Sequence, residues 1–315
     1  MYTDAKSFHE QLDSYYAGHD NEATEKFLLD TLEELENAMM ISSGCGCCAD
    51  GDCEDEGATE EELKWMIGLS EAKITVLNEL ACFYRGISRW DECLGAFSRV
   101  KEEIELCGLT GDDSYALVTL NLAGAYRLLG RFEDALAAFE EAKAILDKNG
   151  KLDAYSYSSY YNNAGLVYQD MKDYTKAVEF FEKALQLMPR TPENLAEIAT
   201  GLSNLAMSHY ASGDPQSAEM KLDEAIEIFK KLDEGKNPHY AGALNTKAFF
   251  CFNAGNIEKS AELFEEAIEL TKLIFGENNE YAISCRNCSF AYRKLGNTEK
   301  ADMYAAIAER ILGKP

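Results

Sequence analysis

The amino-acid sequence predicts an all-α fold, a right-handed α-solenoid built from tandem helix-turn-helix hairpins. Three observations predict it. A column of small residues recurs every 41 or 42 positions, a glycine-rich column separates two helical patterns within each period, and the prolines avoid the helix interiors that this register implies.

The period is anchored on Ala81, Ala123, Gly165, Ala206, Ala248 and Ser289, with spacings of 42, 42, 41, 42 and 41. Three residues after each anchor stand Tyr84, Tyr126, Tyr168, His209, Cys251 and Tyr292, a mainly aromatic column. Seven after it stand Ser88, Gly130, Lys172, Gly213, Gly255 and Gly296, where a residue able to take positive φ ends one helix and lets the chain reverse. Twelve and nineteen after it the residues are again small, from Cys93 to Ala301 and from Val100 to Ala308, with Phe97, Phe139, Phe181, Leu222 and Phe264 between them at the sixteenth. Small side chains let two helix axes approach closely, and the aromatic and large apolar columns fill the space beside them. Pro189, Pro192, Pro215 and Pro238 fall between the predicted helices, since an interior proline would cost about 3 kcal/mol.

The stretches LNLAGAYRLLGRFEDALAAFEEAKAIL and YNNAGLVYQDMKDYTKAVEFFEKALQLMP resemble tetratricopeptide repeats, and the 42-residue period is similar to the kinesin light chain type. Six such repeats cover residues 70–315. Residues 1–40 resemble a degenerate capping hairpin, keeping Gly18, Ala23 and Phe27 in register while Gln11 and Ser14 depart from it. Between them, residues 41–69 read as an inserted cysteine-rich acidic loop and a lead-in helix.

The formal charge of −26 works against nucleic acid and anionic membrane surfaces, which are bound by exchanging counterions for Lys and Arg. No apolar run reaches the roughly 18 residues needed to span a bilayer. The start MYTDAKSFHEQLDSYY lacks a basic segment followed by an apolar core, so the expected location is the cytoplasm, with mostly reduced cysteines.

In such stacks the first helix of each hairpin lines the inner surface. Two positions before the anchor stand Asn121, Asn163, Asn204 and Asn287, with Asn78, Asn162 and Asn245 one residue earlier. Asn is a mediocre helix former, so its recurrence in one column calls for a reason. An amide offers both donor and acceptor to an extended peptide backbone, and the resemblance implies such an asparagine ladder; the competing reading is that these amides bond the neighbouring hairpin. Beside them lie Arg85, Arg127, Arg286 and Arg293, able to draw a carboxylate or phosphate or to balance local Glu. Met207, Tyr210, Phe249, Phe252 and Phe290 suggest an apolar, aromatic site in the last three hairpins.

Cys45, Cys47, Cys48 and Cys53 in GCGCCADGDCEDE could wrap a soft ion, Zn or Cu, but adjacent Cys47 and Cys48 do not easily reach one tetrahedral ion, and a solvated acidic loop is the simpler account. Cys285 and Cys288 form a C-x-x-C on a helix, read as buried small residues. No catalytic signature such as G-x-S-x-G, H-E-x-x-H or G-x-x-x-x-G-K occurs, and no cofactor is expected. The expected function is therefore a non-enzymatic scaffold holding a protein or peptide ligand in the inner groove. Alternatives are a metal or thiol redox sensor in the cysteine loop and a sensor of signalling peptides. Met303, Ile307 and Ile311 on the last helix leave a face on which a second copy could dock.

Overall fold

The computed structural model describes residues 5–18, 20–43, 59–150, 153–232 and 237–313, and among them it contains fourteen α-helices, one short 3-10 turn at Pro192–Asn194 and no strand. The chain divides into two compact units, residues 1–151 and 152–315. The first holds three hairpins: α1 (Ala5–Ala17) with α2 (Asn21–Ser43), α3 (Glu60–Gly86) with α4 (Trp90–Leu106), and α5 (Asp113–Leu128) with α6 (Phe132–Lys148). The second holds four: α7 (Ala154–Asp170) with α8 (Tyr174–Leu187), α9 (Leu195–Ala211) with α10 (Pro215–Phe229), α11 (Pro238–Asn253) with α12 (Ile257–Phe275), and α13 (Asn279–Lys294) with α14 (Thr298–Leu312).

Each small-residue column is interior. Ala81, Ala123, Ala206 and Ala248 are fully buried, as are Cys93, Ala135, Ala177, Ala218, Ser260 and Ala301 twelve residues on. Phe97, Phe139, Phe181, Leu222 and Phe264 fill the gap between the paired helices and are almost wholly buried. Gly165 shows how tight this contact is: a Cβ there would lie 2.9 Å from the Phe181 ring.

The turn between paired helices is the same six times. The residue seven after the anchor is left-handed whether or not it is glycine, with φ of 60° at Ser88 and 63° at Lys172 beside 72° at Gly130 and 92° at Gly213. Its neighbour's N–H closes back on the carbonyl of the aromatic column, as in Arg131 to Tyr126 at 2.9 Å and Asn297 to Tyr292 at 3.0 Å. This is the paired closing bond of a Schellman motif, which satisfies the last carbonyls of the first helix.

The first helix of the second hairpin begins well before residue 70. Thr59 caps α3 in a reciprocal box, its Oγ1 accepting from the Glu62 N–H at 3.3 Å while the Glu62 carboxylate accepts from the Thr59 N–H at 2.8 Å. Glu60, Glu61 and Glu62 favour the positive end of the helix dipole. The lead-in helix is thus the first part of α3, 27 residues long, and buried Leu69 ties it to the core of the first unit.

At the last hairpin, Glu265 of α12 accepts from Lys300 at 2.7 Å and from Tyr304 at 2.9 Å, both on α14, while Lys300 also donates to the Tyr292 hydroxyl of α13 at 2.8 Å. Burial pulls the Glu265 pKa up, but the bonds from Lys300, Tyr292 and Tyr304 outweigh it and leave the carboxyl below its usual range.

Lys172→Gly relieves the left-handed strain of a side chain and is expected to leave stability unchanged or raise it by up to about 1 kcal/mol, whereas Gly130→Ala lowers it by about 1–2 kcal/mol, both read from urea unfolding. A loss at Lys172→Gly as large as that at Gly130→Ala contradicts the turn geometry. Because the folded pKa of Glu265 lies below the unfolded value, its stabilisation is present above the unfolded pKa and fades as pH falls through the folded one. Glu265→Gln should therefore lower the melting midpoint near neutral pH, with the gap from wild type closing below about pH 4. A gap that persists unchanged into acid removes the carboxylate from the account.

Candidate inner-face binding site

Within each unit the first helices lie against one another, α3 against α5 in the first, and α7 against α9 and α9 against α11 in the second. Their shared face is where the asparagine and arginine columns were expected, and several of these side chains bridge adjacent hairpins. Asn121 Nδ2 donates to Asn78 Oδ1 at 3.0 Å, Asn204 Nδ2 to Asn162 Oδ1 at 3.3 Å, and Asn245 Nδ2 to Ser284 Oγ at 2.8 Å. Ser208 Oγ donates to Gln169 Oε1 at 2.9 Å in the same sense. Each amide pair leaves one end of each partner uncommitted by the other.

Arg85 is drawn inward. Its Nη1 donates to the Asn121 carbonyl at 2.9 Å, and it crosses so close to Gly124 that a Cβ there would stand 3.0 Å away. The small residue at 124 is thus explained by the guanidinium above it. Glu79 occupies the first position of the asparagine column, and burial raises its carboxyl pKa against the opposing pull of His9, Asn78 and Arg85. Arg293 pairs with Asp302 at 3.3 Å, while Arg286 is exposed and Arg127 half-buried.

In the second unit Asn163 is exposed and Asn162, Asn204 and Asn287 are half-buried. Asn162 and Asn163 line a notch of about 220 Å³ together with Ser158, Ser159, Thr200 and Gly201. Its amides and hydroxyls, each able to donate and accept, stand among apolar Ala184, Leu185, Met188, Ala196 and Ile198, with Glu197 and His239 also in the lining. Toward the C-terminus Phe249 is 45% exposed and Phe290 52%, whereas Met207 and Phe252 are half-buried and pack against the core. Tyr210 stacks on Phe250 at 4.3 Å and meets Phe249 edge-on at 5.8 Å. Arg286, Phe290 and Arg293 line a further notch of about 340 Å³ between α13 and α14. On α14, Met303 is exposed while Ile307 and Ile311 lie half-buried against the core.

Cys45, Cys47, Cys48 and Cys53 lie outside the described residues. Among the described residues no group of three His, Cys, Asp or Glu is placed to hold a metal ion, and no helix is long and apolar enough to cross a membrane. Cys285 and Cys288 are fully buried, and burial pushes their thiols up to about 11 and about 12.

The cross-hairpin bonds correspond to the competing reading of the asparagine columns, in which the amides bond the neighbouring hairpin. The pattern of an Asn three before one anchor and an Asn two before the next occurs three times, as Asn78 with Asn121, Asn162 with Asn204 and Asn245 with Asn287; the first two pairs bond, while Asn245 donates to Ser284.

The sequence matches the family described as tetratricopeptide repeat over residues 73–148, 156–237 and 239–312. No curated protein sequence matches it. Among solved structures the chain is similar to BtubC (BKLC) from P. vanneervenii, at 20% identity over 77% of this chain and 91% of that one, with a TM-score of 0.54. It is also similar to the kinesin light chain-like repeats of Podosopora anserina, at 20% identity over 63% and 96%, with a TM-score of 0.52. A third likeness is to a signal transduction ATPase with a tetratricopeptide repeat sensor from Pyrococcus horikoshii, at 15% identity over 96% and 43%, with a TM-score of 0.61. At these identities the likeness is one of fold.

Thiols raised this far are almost wholly protonated near pH 8, so brief iodoacetamide treatment of the native protein should modify exposed Cys107 and spare Cys285 and Cys288. Peptide mass spectrometry reads the result, and rapid labelling of the pair would restore a reactive C-x-x-C.

Proposed function

We propose, given that this chain belongs to the tetratricopeptide repeat family, that it is a non-catalytic scaffold which holds an extended segment of a protein partner along the first-helix face of its second unit. The repeats support a protein-interaction role in general. The particular face is favoured by one observation: exposed Asn163, beside the Asn162–Asn204 pair, rims a notch in which Ser158, Ser159 and Thr200 add hydroxyls to the amides over an apolar lining that includes Leu185, Met188 and Ile198.

An extended peptide presents an N–H and a C=O at each residue, and a side-chain amide meets both whatever the peptide's sequence. The half of each amide left over from the Asn162–Asn204 bond supplies that pairing while the other half keeps the side chain oriented. Held donors and acceptors lose less rotamer freedom on binding than free ones, which favours affinity. Exposed Phe249 and Phe290 then offer apolar surface to a partner side chain. Arg286 offers charge selection on the same helix as Phe290; Arg85 and Arg293 already have intramolecular partners.

A photo-crosslinking residue placed at Asn163 should capture a discrete partner band, and the same residue at exposed Glu182 on α8 should not. Asn163→Ala combined with Asn204→Ala should weaken capture by about tenfold or more with the helical circular dichroism unchanged. Equal capture at the two positions, or capture indifferent to the double substitution, removes the inner face from the reading.

A further inference from the structure

The aromatic column three residues after each anchor is broken at Cys251, and beside Cys251 lies a notch of about 530 Å³. At the second hairpin the tyrosine at this place reaches the second helix of the preceding hairpin, whereas Tyr168 packs on Phe180 of its own hairpin at 4.8 Å. The Tyr84 hydroxyl donates to Glu25 of α2 at 2.9 Å, with Arg89 stacked 4.7 Å over its ring. At the last hairpin the Tyr292 hydroxyl meets Lys300 at 2.8 Å, and Lys300 sits 4.5 Å over the ring. A thiol at this position leaves the volume of a phenol ring unfilled.

What surrounds the vacancy shares one feature with the setting of Tyr84, a carboxylate from the preceding hairpin, and Lys247 also lines it. Its wall includes the stacked pair Tyr210 and Phe250, and its floor includes fully buried Leu222. Glu219 of α10 lines it from the preceding hairpin, as Glu25 does at the Tyr84 position. Asn256, at the N-cap of α12, also lines it, and its side chain makes no cap bond to its own helix, although Asn297 at the equivalent place caps α14 at 3.1 Å. An aromatic wall, an apolar floor and a carboxylate suited to accept from a hydroxyl define one ligand chemistry.

We propose that this notch is a vacated tyrosine position that takes the phenol ring of a tyrosyl side chain from a partner polypeptide, stacked beside Tyr210 and Phe250 with its hydroxyl on Glu219. The source of the ring rests on the scaffold reading; the ring site itself does not, and it is separate from the asparagine-lined notch at Asn163.

The test is protection of Cys251 in the full-length protein. p-Cresol and N-acetyl-tyrosinamide should each slow iodoacetamide modification of Cys251 saturably, at millimolar concentrations, without slowing Cys107; toluene should protect several-fold less well. Glu219→Ala, at an exposed position, should abolish the advantage of p-cresol over toluene. Cys251→Tyr should fill the notch, seen as loss of the p-cresol-induced NMR shifts at Tyr210 and Asn256. No protection by p-cresol, or p-cresol shifts that survive Cys251→Tyr, overturns the site. Protection by p-cresol without any by N-acetyl-tyrosinamide overturns the polypeptide source. If Cys251→Tyr does not fold, the Glu219→Ala comparison decides alone: an unchanged preference for p-cresol overturns the assigned geometry.

Discussion

Close approach of helix axes at the small-residue columns is the contact on which everything else in this chain depends. Ala81, Ala123, Ala206 and Ala248 are fully buried, and the large residues sixteen positions after each anchor, themselves almost wholly buried, fill the space between the paired helices. At Gly165 even the methyl is absent, because the Phe181 ring occupies its place. Packing at this density has no slack, so the spacing of first helices is set by the columns. Side chains on neighbouring first helices then come within hydrogen-bond range.

That spacing explains the polar ties along the inner face. An amide pair at 3.0 Å between Asn78 and Asn121 requires two helix surfaces held at one separation, and the pair in turn opposes sliding of one hairpin over the next. The same ties decide where the face remains available. In the first unit Arg85 is committed to the Asn121 carbonyl and lies over Gly124. In the second, Asn163 stays exposed and the aromatic residues turn outward at Phe249 and Phe290. The proposed recognition face lies in the second unit for this reason, since the neighbouring side chains leave more of it uncommitted.

Much of the fold was legible in the sequence because its determinants are local and repeat. Left-handed Ser88 and Lys172 obey the same turn as the glycines around them, since a column seen six times overrides the preference of any one residue. The start of α3 was less legible: a lead-in helix was expected somewhere within residues 41–69, and the capping box at Thr59 gives its first turn. Amide pairing between hairpins and the inward course of Arg85 depend on distances between elements, which no spacing along one helix contains. The notch beside Cys251 is a further kind of signal. The broken aromatic column was visible as Cys251, but whether neighbours collapse into the gap is a property of packing.

The claim that methyl-sized columns hold the hairpins together is most directly tested by equilibrium unfolding of two substitutions in one helix. Ala206→Leu adds bulk at a fully buried column position of α9, and Ala211→Leu adds the same bulk at an exposed position of that helix, with nearly equal helix propensity. The account predicts a loss of about 1–3 kcal/mol at Ala206 and less than about 0.5 kcal/mol at Ala211. Equal effects at the two positions would contradict it.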